Sequence, residues 1–278
     1  PTVTDVRPFR FGVVGTPQSG GAAWRALAVR VAGLGYSTLL MPDGLQLLSP
    51  VPALAMAAAS SPELRIGTFV FAAPLRPAGL AAWDAHSLSA LTGGRFELGI
   101  GTGRPIVAEW AKGLGLPFGS PDERLAQVAD TIDRLRALDG DALHTPVLMA
   151  AGGPKARALA AAKADIVTIA AGALVSRESV AAQVAELRTR AGDRAARIEL
   201  AMNLFVVGVD VPPHAQRYIG ADAATLIATN SLVMLRGSTQ EMVDELQRRR
   251  EEFGTSYITV NAEYAEALAP VVELLTGR

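Results

Sequence analysis

Residues 66–100 read IGTFVFAAPLRPAGLAAWDAHSLSALTGGRFELGI, and this stretch decides the fold. Its first part, Ile66 to Phe71, is short, apolar and rich in β-branched and aromatic residues, which is typical of a buried strand. Gly79 to Leu91 has helical periodicity and is followed by Gly93-Gly94, a signal that commonly ends a helix. A second apolar run, Arg95 to Ile100, comes next. The stretch predicts one strand–helix unit and the strand that opens the following unit.

The same unit repeats along the chain. Strand-like runs also begin at Phe9 and Ser37, so the first four begin 28, 29 and 29 residues apart. A period near 30 residues is the size of a βα unit that returns the chain in parallel. Four further strands are predicted, at Pro146 to Ala151, Asp165 to Ile169, roughly Ile198 to Val209, and Ser256 to Val260. Eight strands alternating with helices predict an α/β fold, the (β/α)8 or TIM barrel.

Helices are predicted between these strands, and the segment from Pro212 to Gly237 is predicted to be irregular. An open doubly wound sheet is the competing fold, but it would carry a glycine-rich dinucleotide fingerprint after its first strand. The residues from Gly15 to Gly21 do not fit that fingerprint. The helices are expected at Trp24 to Leu34, Gly79 to Leu91, Arg124 to Leu138, Lys155 to Lys163, Ser176 to Arg190, Thr239 to Phe253 and Glu263 to Leu275.

The composition fits one barrel domain and excludes several classes of function. The chain has 278 residues, and 26 Lys+Arg against 27 Asp+Glu give a net charge of −1, which excludes a nucleic-acid binder that works through bulk positive charge. Half of the residues are apolar, which indicates a large core. An α/β barrel forms one domain of roughly 250 residues. We therefore expect residues 1–278 to form a single domain.

The absence of cysteine and the spacing of the histidines exclude further classes of site. The chain has no cysteine, so disulfides, thiolate zinc sites and cysteine nucleophiles are excluded. Its three histidines lie far apart in sequence, and no histidine-built metal site is expected. No apolar run is long enough to span a bilayer, and the first residues lack the apolar core of a signal peptide. These features predict a soluble, cytoplasmic protein that does not bind membranes.

Residues just past the strands are the candidates for chemistry, because a barrel enzyme has its active site at the carboxyl ends of the strands. Only Asp43 and Arg104 are charged there, apart from Lys155 at the edge. A hydrolase or an aldolase would need a carboxylate pair, a nucleophile with its base, or a buried lysine. The scarcity of such groups predicts that a bound cofactor carries the reaction.

Two glycine-rich segments and one aspartate are candidate contacts for that cofactor. Gly101-Thr102-Gly103-Arg104 offers open backbone amides and one cation, although a tight βα turn would look the same. Gly152-Gly153-Pro154-Lys155 precedes a helix, whose amino terminus favours a phosphate, although a bare loop is the alternative. Asp43 can accept a hydrogen bond from a ring edge or form a turn before Gly44. His86 is expected to be a packing or surface residue.

Several motifs spread over nearly the whole chain carry a family resemblance. They are Leu34-Gly35-Tyr36-Ser37-Thr38-Leu39 with Pro42-Asp43, Leu64-Arg65-Ile66-Gly67-Thr68, Arg76-Pro77-Ala78, the run from Leu91 to Gly103, Leu114-Gly115-Leu116-Pro117-Phe118 with Glu123-Arg124, Ala151-Gly152-Gly153-Pro154 with Ala164-Asp165, and Phe253-Gly254-Thr255-Ser256-Tyr257-Ile258. With these motifs the sequence resembles the bacterial luciferase-like monooxygenase superfamily, and more closely its branch dependent on the deazaflavin coenzyme F-420.

This resemblance implies a luciferase-like (β/α)8 barrel that holds flavin or deazaflavin at its carboxyl-terminal mouth. It also implies a non-proline cis peptide bond behind the ring, which would be Phe69–Val70 here. By position, Asp43 would contact the ring and act with Arg104 in catalysis. The residues that would bind the cofactor are then Asp43, Phe69, Val70, Ala72, Gly101, Thr102, Gly103, Gly152, Gly153, Pro154 and Ala170.

The chain departs from relatives in two places. Several F-420 enzymes have a His after the Asp and an acid after the Gly-Thr-Gly, where this chain has Gly44 and Arg104. The sugar-phosphate dehydrogenase chemistry that uses those two groups is therefore not expected. The connection from Asp139 to Thr145 is also shorter than in many relatives, which would leave the substrate site more open.

Three functional hypotheses follow from the resemblance. The leading hypothesis is an F-420-dependent oxidoreductase that exchanges a hydride with a small molecule, most simply at a C=C or C=N bond. The second is a monooxygenase that uses FMN and oxygen, and the third is a cofactor-binding barrel without turnover. The expected partner is a small-molecule substrate, and relatives are often homodimers.

Overall fold

The structure is a computed structural model that describes residues 7–17, 20–169 and 172–278. Its strands are short, mostly buried and rich in Val, Ile, Leu and Phe, as expected when both faces of a parallel sheet are covered. They are β1 (Arg10–Val14), β2 (Thr38–Met41), β3 (Arg65–Thr68), β4 (Phe71–Ala72), β5 (Phe96–Gly101), β6 (Val147–Ala150), β7 (Ile166–Thr168), β8 (Glu199–Leu204), β9 (Val206–Val207), β10 (Met234–Leu235) and β11 (Thr255–Asn261).

Helices separate most of these strands, and all seven predicted helices are present, with ends that differ by three residues at most. No helix in the described part of the chain is long and apolar enough to cross a membrane. The helices are α1 (Gly21–Gly33), α2 (Pro50–Ser60), α3 (Ala78–Leu91), α4 (Val107–Gly113), α5 (Pro121–Asp139), α6 (Pro154–Lys163), α7 (Arg177–Ala191), α8 (Pro213–Ile219), α9 (Ala223–Ala228), α10 (Thr239–Phe253) and α11 (Ala265–Leu275).

The strands form a closed parallel barrel. Their order is β3-β2-β1-β11-β8-β7-β6-β5-β4, and β3 also pairs with β5, which closes the sheet. β4 pairs with β5 beyond β3, so β3 and β4 together occupy one of the eight positions. The predicted (β/α)8 barrel is therefore confirmed for the described residues.

Successive side chains of each strand point to opposite faces, so one set fills the interior of the barrel and the other set covers its outer surface. The inner set has its own core, which includes Val14, Leu40, Leu148 and Tyr257. A Cβ at Gly12 would lie 3.0 Å from the hydroxyl of Tyr257, so the missing side chain there makes room for the tyrosine. The barrel is a packed core rather than a pore, and a ligand can enter only at its ends.

The structure corrects two predicted segments and adds two helices. The strand predicted over 198–209 is divided between β8 and β9, because β9 leaves the barrel to pair with β10. The segment predicted to be irregular contains α8, α9 and β10. Helices α2 and α4 were not predicted, since α2 is apolar on most sides and α4 has only seven residues.

Candidate functional site

Several residues predicted to bind a cofactor meet at the carboxyl end of the barrel. The Asp43 carboxylate, past the end of β2, accepts a hydrogen bond from the backbone N–H of Ala72 at 3.2 Å. Ala72 is in register with Gly101, the last residue of β5. A Cβ at Gly101 would lie 3.2 Å from Cγ2 of Val70. The ends of β2, β4 and β5 therefore form one continuous part of the barrel mouth.

Asp43 is held in place by an arginine that the sequence analysis did not single out as a site residue. Arg76 Nη2 donates to Asp43 Oδ1 at 3.2 Å, and Arg76 Nη1 donates to Oδ2 in a shorter contact. The Asp43 side chain is only 5% exposed. The guanidinium of Arg76 also lies 4.1 Å from the ring centroid of Phe71. Both carboxylate oxygens therefore accept hydrogen bonds, and an acceptor position remains on Oδ1 for a ligand.

The peptide bond between Phe69 and Val70 is cis, as the resemblance implies. Both side chains are half-buried and pack on the inner core of the barrel. Behind this segment β5 approaches closely, since a Cβ at Gly99 would lie 1.9 Å from the carbonyl oxygen of Thr68. The hydroxyl of Thr68 donates to the Gly99 carbonyl at 2.7 Å. This packing gives the mouth a firm apolar floor.

The segment Gly101-Thr102-Gly103-Arg104 turns away from β5 toward α4. Gly103 has a φ of +80°, a conformation that favours glycine, so the turn interpretation of this segment is correct for its backbone. Thr102 and Gly103 are half-buried and Arg104 is exposed. A turn without large side chains leaves its backbone accessible, so the cofactor interpretation stays open beside it.

Arg104 contacts a residue of the segment that was predicted to be irregular. Its guanidinium carbon lies 5.5 Å from the ring centroid of Tyr218 in α8, and Tyr218 makes an edge contact with Phe205 at 5.4 Å between ring centroids. Among the described residues, the side chain of Arg104 has no hydrogen-bond or ion-pair partner. Its donors are therefore free to meet an anionic ligand group, while the two aromatic rings limit where it can point.

The second glycine segment leads into α6. Gly153 precedes the helix, Pro154 is its first residue, and no side chain caps its amino terminus. Gly152, Gly153 and Pro154 are exposed, and no heavy atom comes within 4 Å of a Cβ placed on Gly153. The backbone N–H groups of this first turn are accessible to an anion, with the helix dipole in the favourable direction. Ala170, the remaining predicted contact, lies outside the described residues.

A polar pair inside the barrel mouth was missed by the sequence analysis. The hydroxyl of Thr259 in β11 donates to Asn203 Oδ1 in β8 at 2.8 Å. Asn203 alternates with Ala201 and so faces the barrel interior. Within the described chain, its Nδ2 has no hydrogen-bond partner. The signal in the sequence is an amide side chain inside an apolar run, between Met202 and Leu204.

His86, His144 and Lys155 add no acid or base to this mouth. His86 pairs with Asp139 at 2.8 Å between α3 and α5, which confirms its interpretation as a packing residue. His144 precedes β6, at the opposite end of the barrel. Lys155 pairs with Asp122, and both side chains are more than 70% exposed. The mouth can bind, orient and shield a ligand, and an oxidation or reduction there requires a cofactor.

Comparison with known proteins gives one family and many structures of the same fold. The model of a family described as luciferase-like monooxygenase matches residues 6–273. A search of curated proteins found no match. The structure is similar to coenzyme F-420-dependent tetrahydromethanopterin reductase from Methanopyrus kandleri, with 15% identity, a TM-score of 0.74, and coverage of 97% of this chain and 100% of that chain.

Two further solved structures extend the range of activities found on this fold. An F-420-dependent secondary alcohol dehydrogenase, solved with an F-420–acetone adduct, has 15% identity, a TM-score of 0.72, and coverage of 97% of this chain and 98% of that chain. A long-chain alkane monooxygenase has 14% identity, a TM-score of 0.75, and coverage of 97% and 91%. At this identity the likeness shows the fold, while the choice of cofactor depends on the site itself.

Proposed function

Because this chain belongs to the luciferase-like monooxygenase family, we propose that it is an F-420-dependent oxidoreductase that exchanges a hydride with a small organic substrate. Reduction of a C=C or C=N bond is the proposed reaction. The observation that carries the proposal is the chemistry of the described mouth. Its one buried carboxylate, Asp43, already accepts hydrogen bonds from Arg76, so the protein supplies positioning and the cofactor supplies the redox chemistry.

The described residues fit a planar ring with a phosphate-bearing tail. The half-buried side chains of Phe69 and Val70 offer an apolar surface for the ring, next to the free acceptor position of Asp43. Open backbone at Gly153 and the uncapped start of α6 offer N–H donors for a phosphate. When bound, F-420 would supply a ring carbon that accepts or donates a hydride.

The chain's own residues would orient the two reactants and keep water away from them. The apolar floor excludes water beneath the ring, and exclusion of water strengthens each polar contact at the mouth. Asp43, fixed by Arg76, would accept a hydrogen bond from a ring N–H. Asn203 Nδ2 and Arg104 are the free donors on the substrate side, and Arg104 would pair with an anionic group of the substrate or of the cofactor tail. Holding both reactants in register accounts for the expected rate enhancement.

The first test is a titration of the protein with F-420 and, in parallel, with FMN, followed by the fluorescence of each cofactor. We expect F-420 to bind at micromolar concentration or below and FMN to bind more weakly. Reduced F-420 should then be consumed by a panel of unsaturated or imine acceptors. Preference for FMN, with oxygen consumption, would replace the proposal by a monooxygenase. Tight F-420 binding without consumption by any acceptor would identify a binding barrel without turnover.

The phosphate position is tested by Gly153→Asp, with Gly33→Asp as the matched control. Both glycines have open space around the position of a Cβ, so neither substitution should disturb packing. A carboxylate at the start of α6 would repel the cofactor phosphate, and we expect the dissociation constant to rise about tenfold or more. The same charge at the end of α1 should leave it unchanged. Equal cofactor affinities of the two variants would contradict a cofactor phosphate at the start of α6.

A further inference from the structure

Three neighbouring strands of the barrel carry polar side chains on their inner face, near the carboxyl end. β7, β8 and β11 are adjacent in the sheet, and Ile166, Ala201 and Tyr257 on these strands belong to the inner core. Side chains two or four residues further along a strand point to the same face. The polar residues that face inward at this end, which we call the polar wall, are Thr168, Asn203, Thr259 and Asn261.

The polar wall lies across the mouth from the surface proposed for the cofactor ring. The barrel has eight positions, and β3 and β4 share one of them. β8 is the fourth neighbour of that position in either direction around the sheet, so the two lie on opposite sides of the barrel. A ring that lies on Phe69 and Val70, which join β3 to β4, therefore turns its other face toward Asn203. A substrate between them would contact both.

The amide of Asn203 is held so that it presents a donor. Thr259, which is fully buried, donates to Asn203 Oδ1 at 2.8 Å, so the acceptor end of the amide is already engaged. The two N–H groups of Nδ2 have no partner in the described chain, and Asn203 is half-buried, within reach of a ligand in the mouth. Among the described residues, no hydrogen bond holds the side chain of Asn261 in the same way. A donor held in place needs little rearrangement when charge develops on the ligand atom beside it.

The polar wall has no charged residue, and this decides which substrate group it suits. A protonated imine carries a positive charge and would need a carboxylate next to it. Asp43 follows β2, which β1 and β11 separate from β8, and its charge is compensated by Arg76. A carbonyl oxygen is uncharged and accepts a hydrogen bond from an amide N–H. Asn203 therefore suits a carbonyl group better than an iminium ion.

Reduction of an α,β-unsaturated carbonyl compound gives this donor a role. Hydride bonds to the β-carbon, the electron pair of the C=C bond forms a new double bond from the α-carbon to the carbonyl carbon, and the π pair of the C=O bond moves to the oxygen. Reduced F-420 is the hydride source, and water supplies the proton that the α-carbon takes up afterwards. Negative charge develops on the carbonyl oxygen, and a donor placed there stabilises it.

We propose that Asn203 Nδ2 binds the carbonyl oxygen of a small, uncharged α,β-unsaturated carbonyl substrate and stabilises the charge that forms on this oxygen. The chain then reduces C=C bonds rather than C=N bonds. Thr259 is a positioning residue that acts through Asn203 Oδ1. This inference rests on the proposed function and names the substrate class for it.

The first test measures the hydrogen bond without turnover. The probe is 2-cyclohexen-1-one labelled with carbon-13 at its carbonyl, bound to the protein that holds oxidised F-420, and difference infrared spectroscopy reports the C=O stretch. A hydrogen bond from Nδ2 weakens the C=O bond, so we expect a lower stretching frequency in the wild type than in Asn203→Leu. Equal frequencies, or no bound enone, would overturn this inference and leave the dependence on F-420 intact. A protein that does not bind F-420 would overturn the proposed function, and this inference with it.

Asn203→Asp separates the donor from the shape of the side chain. Aspartate has nearly the same size and can still accept from Thr259, but it has no N–H group and carries a negative charge. With reduced F-420, we expect kcat/KM for 2-cyclohexen-1-one to fall about 100-fold or more, and its ratio to the value for a cyclic imine, 2-methyl-1-pyrroline, to fall as well. An unchanged F-420 dissociation constant shows that the variant is folded. An unchanged ratio, or a wild type that reduces the imine and not the enone, would contradict the inference.

Thr259→Val and Thr38→Val form a matched pair that tests the positioning role. Both threonines are fully buried, and both face the barrel interior, but Thr38 is the first residue of β2, at the amino end. Thr259→Val releases Oδ1 and lets the amide turn, so we expect kcat to fall about tenfold, KM to change less, and the C=O stretch to move toward its value in Asn203→Leu. Thr38→Val should leave all three at wild-type values. The same loss in both variants would indicate a general disturbance of the barrel and contradict the role of Thr259.

Discussion

At the scale of single residues, Gly99 makes the sharpest prediction. A Cβ at this position would lie 1.9 Å from the Thr68 carbonyl oxygen, which is backbone and cannot rotate away. We expect Gly99→Ala to lower the free energy of unfolding by about 3 kcal/mol or more. Urea denaturation followed by circular dichroism measures this change. Gly33→Ala is the control, because the space around Gly33 is open, and it should change stability by less than about 1 kcal/mol. If Gly99→Ala were as stable as the control, the Thr68 carbonyl oxygen would have to lie further from residue 99 than the structure places it.

The pair of Asp43 and Arg76 makes a second prediction at this scale. The two side chains are 5% and 14% exposed, so Arg76→Met leaves a buried carboxylate without its cation. We expect the free energy of unfolding to fall by about 3 to 5 kcal/mol, and Asp43→Asn to restore part of this loss in the double variant. Lys155→Met, which breaks an exposed pair, should cost less than about 1 kcal/mol. A double variant no more stable than Arg76→Met would show that the pair is not coupled.

These residues also show how far the sequence predicts the site. The sequence predicts Asp43 and the two glycine segments as site residues because each follows an apolar run that forms a strand. The carboxyl ends of parallel strands meet at one edge of a sheet, so residues at these positions come together. Arg76 was quoted only as part of a motif, since its partner lies 33 residues away and no local pattern records that pairing. Asn203 was missed for the same reason, because its partner Thr259 lies on another strand.

At the scale of elements, the capping box that opens α10 predicts a pH dependence. The backbone N–H and the hydroxyl of Ser238 both donate to Glu241 and hold the pKa of that carboxyl below its ordinary value of 4.5. A lowered pKa in the folded state stabilises the protein above about pH 4.5, and this contribution is lost as the pH falls through the folded value. We expect Glu241→Gln to be less stable than the wild type at neutral pH, and the difference to shrink on acidification.

Urea midpoints across this pH range test the effect, with Glu251→Gln as the control. Glu251 lies on the same helix, and its exposed side chain makes no hydrogen bond within the described residues. Glu251→Gln leaves the hydrogen bonds of Ser238 intact, so its stability difference from the wild type should lack the pH dependence expected for Glu241→Gln. The same pH profile in both variants would assign the effect to general surface charge rather than to the cap.

Helix α10 also anchors the segment between β9 and β10. Arg249 is 2% exposed, and its guanidinium donates to the carbonyls of Leu232 at 2.7 Å and Met234 at 3.2 Å, beside an ion pair with Glu245. We expect Arg249→Met to lower the free energy of unfolding by about 3 kcal/mol and to speed amide exchange in residues 232–235. Arg248→Met, whose side chain is 55% exposed, should do neither. Unchanged exchange in Arg249→Met would show that β10 is held by other contacts.

The elements that periodicity predicted are those whose burial is set locally. Long amphipathic helices such as α5 and α10 have one apolar face, so their sequence alone indicates them. The division of 198–209 into β8 and β9 depends instead on pairing with β10, some thirty residues later. Short elements such as α8 and α9 contain too few turns for a periodic pattern. Their stability comes from tertiary packing, which no window of sequence records.

At the scale of the whole molecule, the two ends of the barrel differ in chemistry. The carboxyl end has an apolar floor, one neutralised carboxylate and free donors, while the amino end holds a network of arginines and carboxylates. This division agrees with the general use of a barrel, in which one end carries the reaction and the other carries stability.

The network at the amino end makes the last prediction, because Arg10 joins β1 to two strands that do not pair with it. It bridges Glu97 of β5 and Glu199 of β8, and its guanidinium carbon lies 3.5 Å from the ring centroid of Tyr257. Arg10→Met would leave two neighbouring carboxylates without this shared cation, and we expect the free energy of unfolding at about pH 8 to fall by about 3 to 5 kcal/mol.

Urea denaturation of both proteins at this pH, followed by circular dichroism, measures the change. Arg30→Met, which breaks an exposed pair with Glu266, should change the free energy of unfolding by less than about 1 kcal/mol. The double variant Arg10→Met/Glu199→Gln lacks one of the two carboxylate charges and should recover part of the deficit of Arg10→Met. A double variant no more stable than Arg10→Met would mean that the lost packing against Tyr257, rather than the lost charge, accounts for the instability.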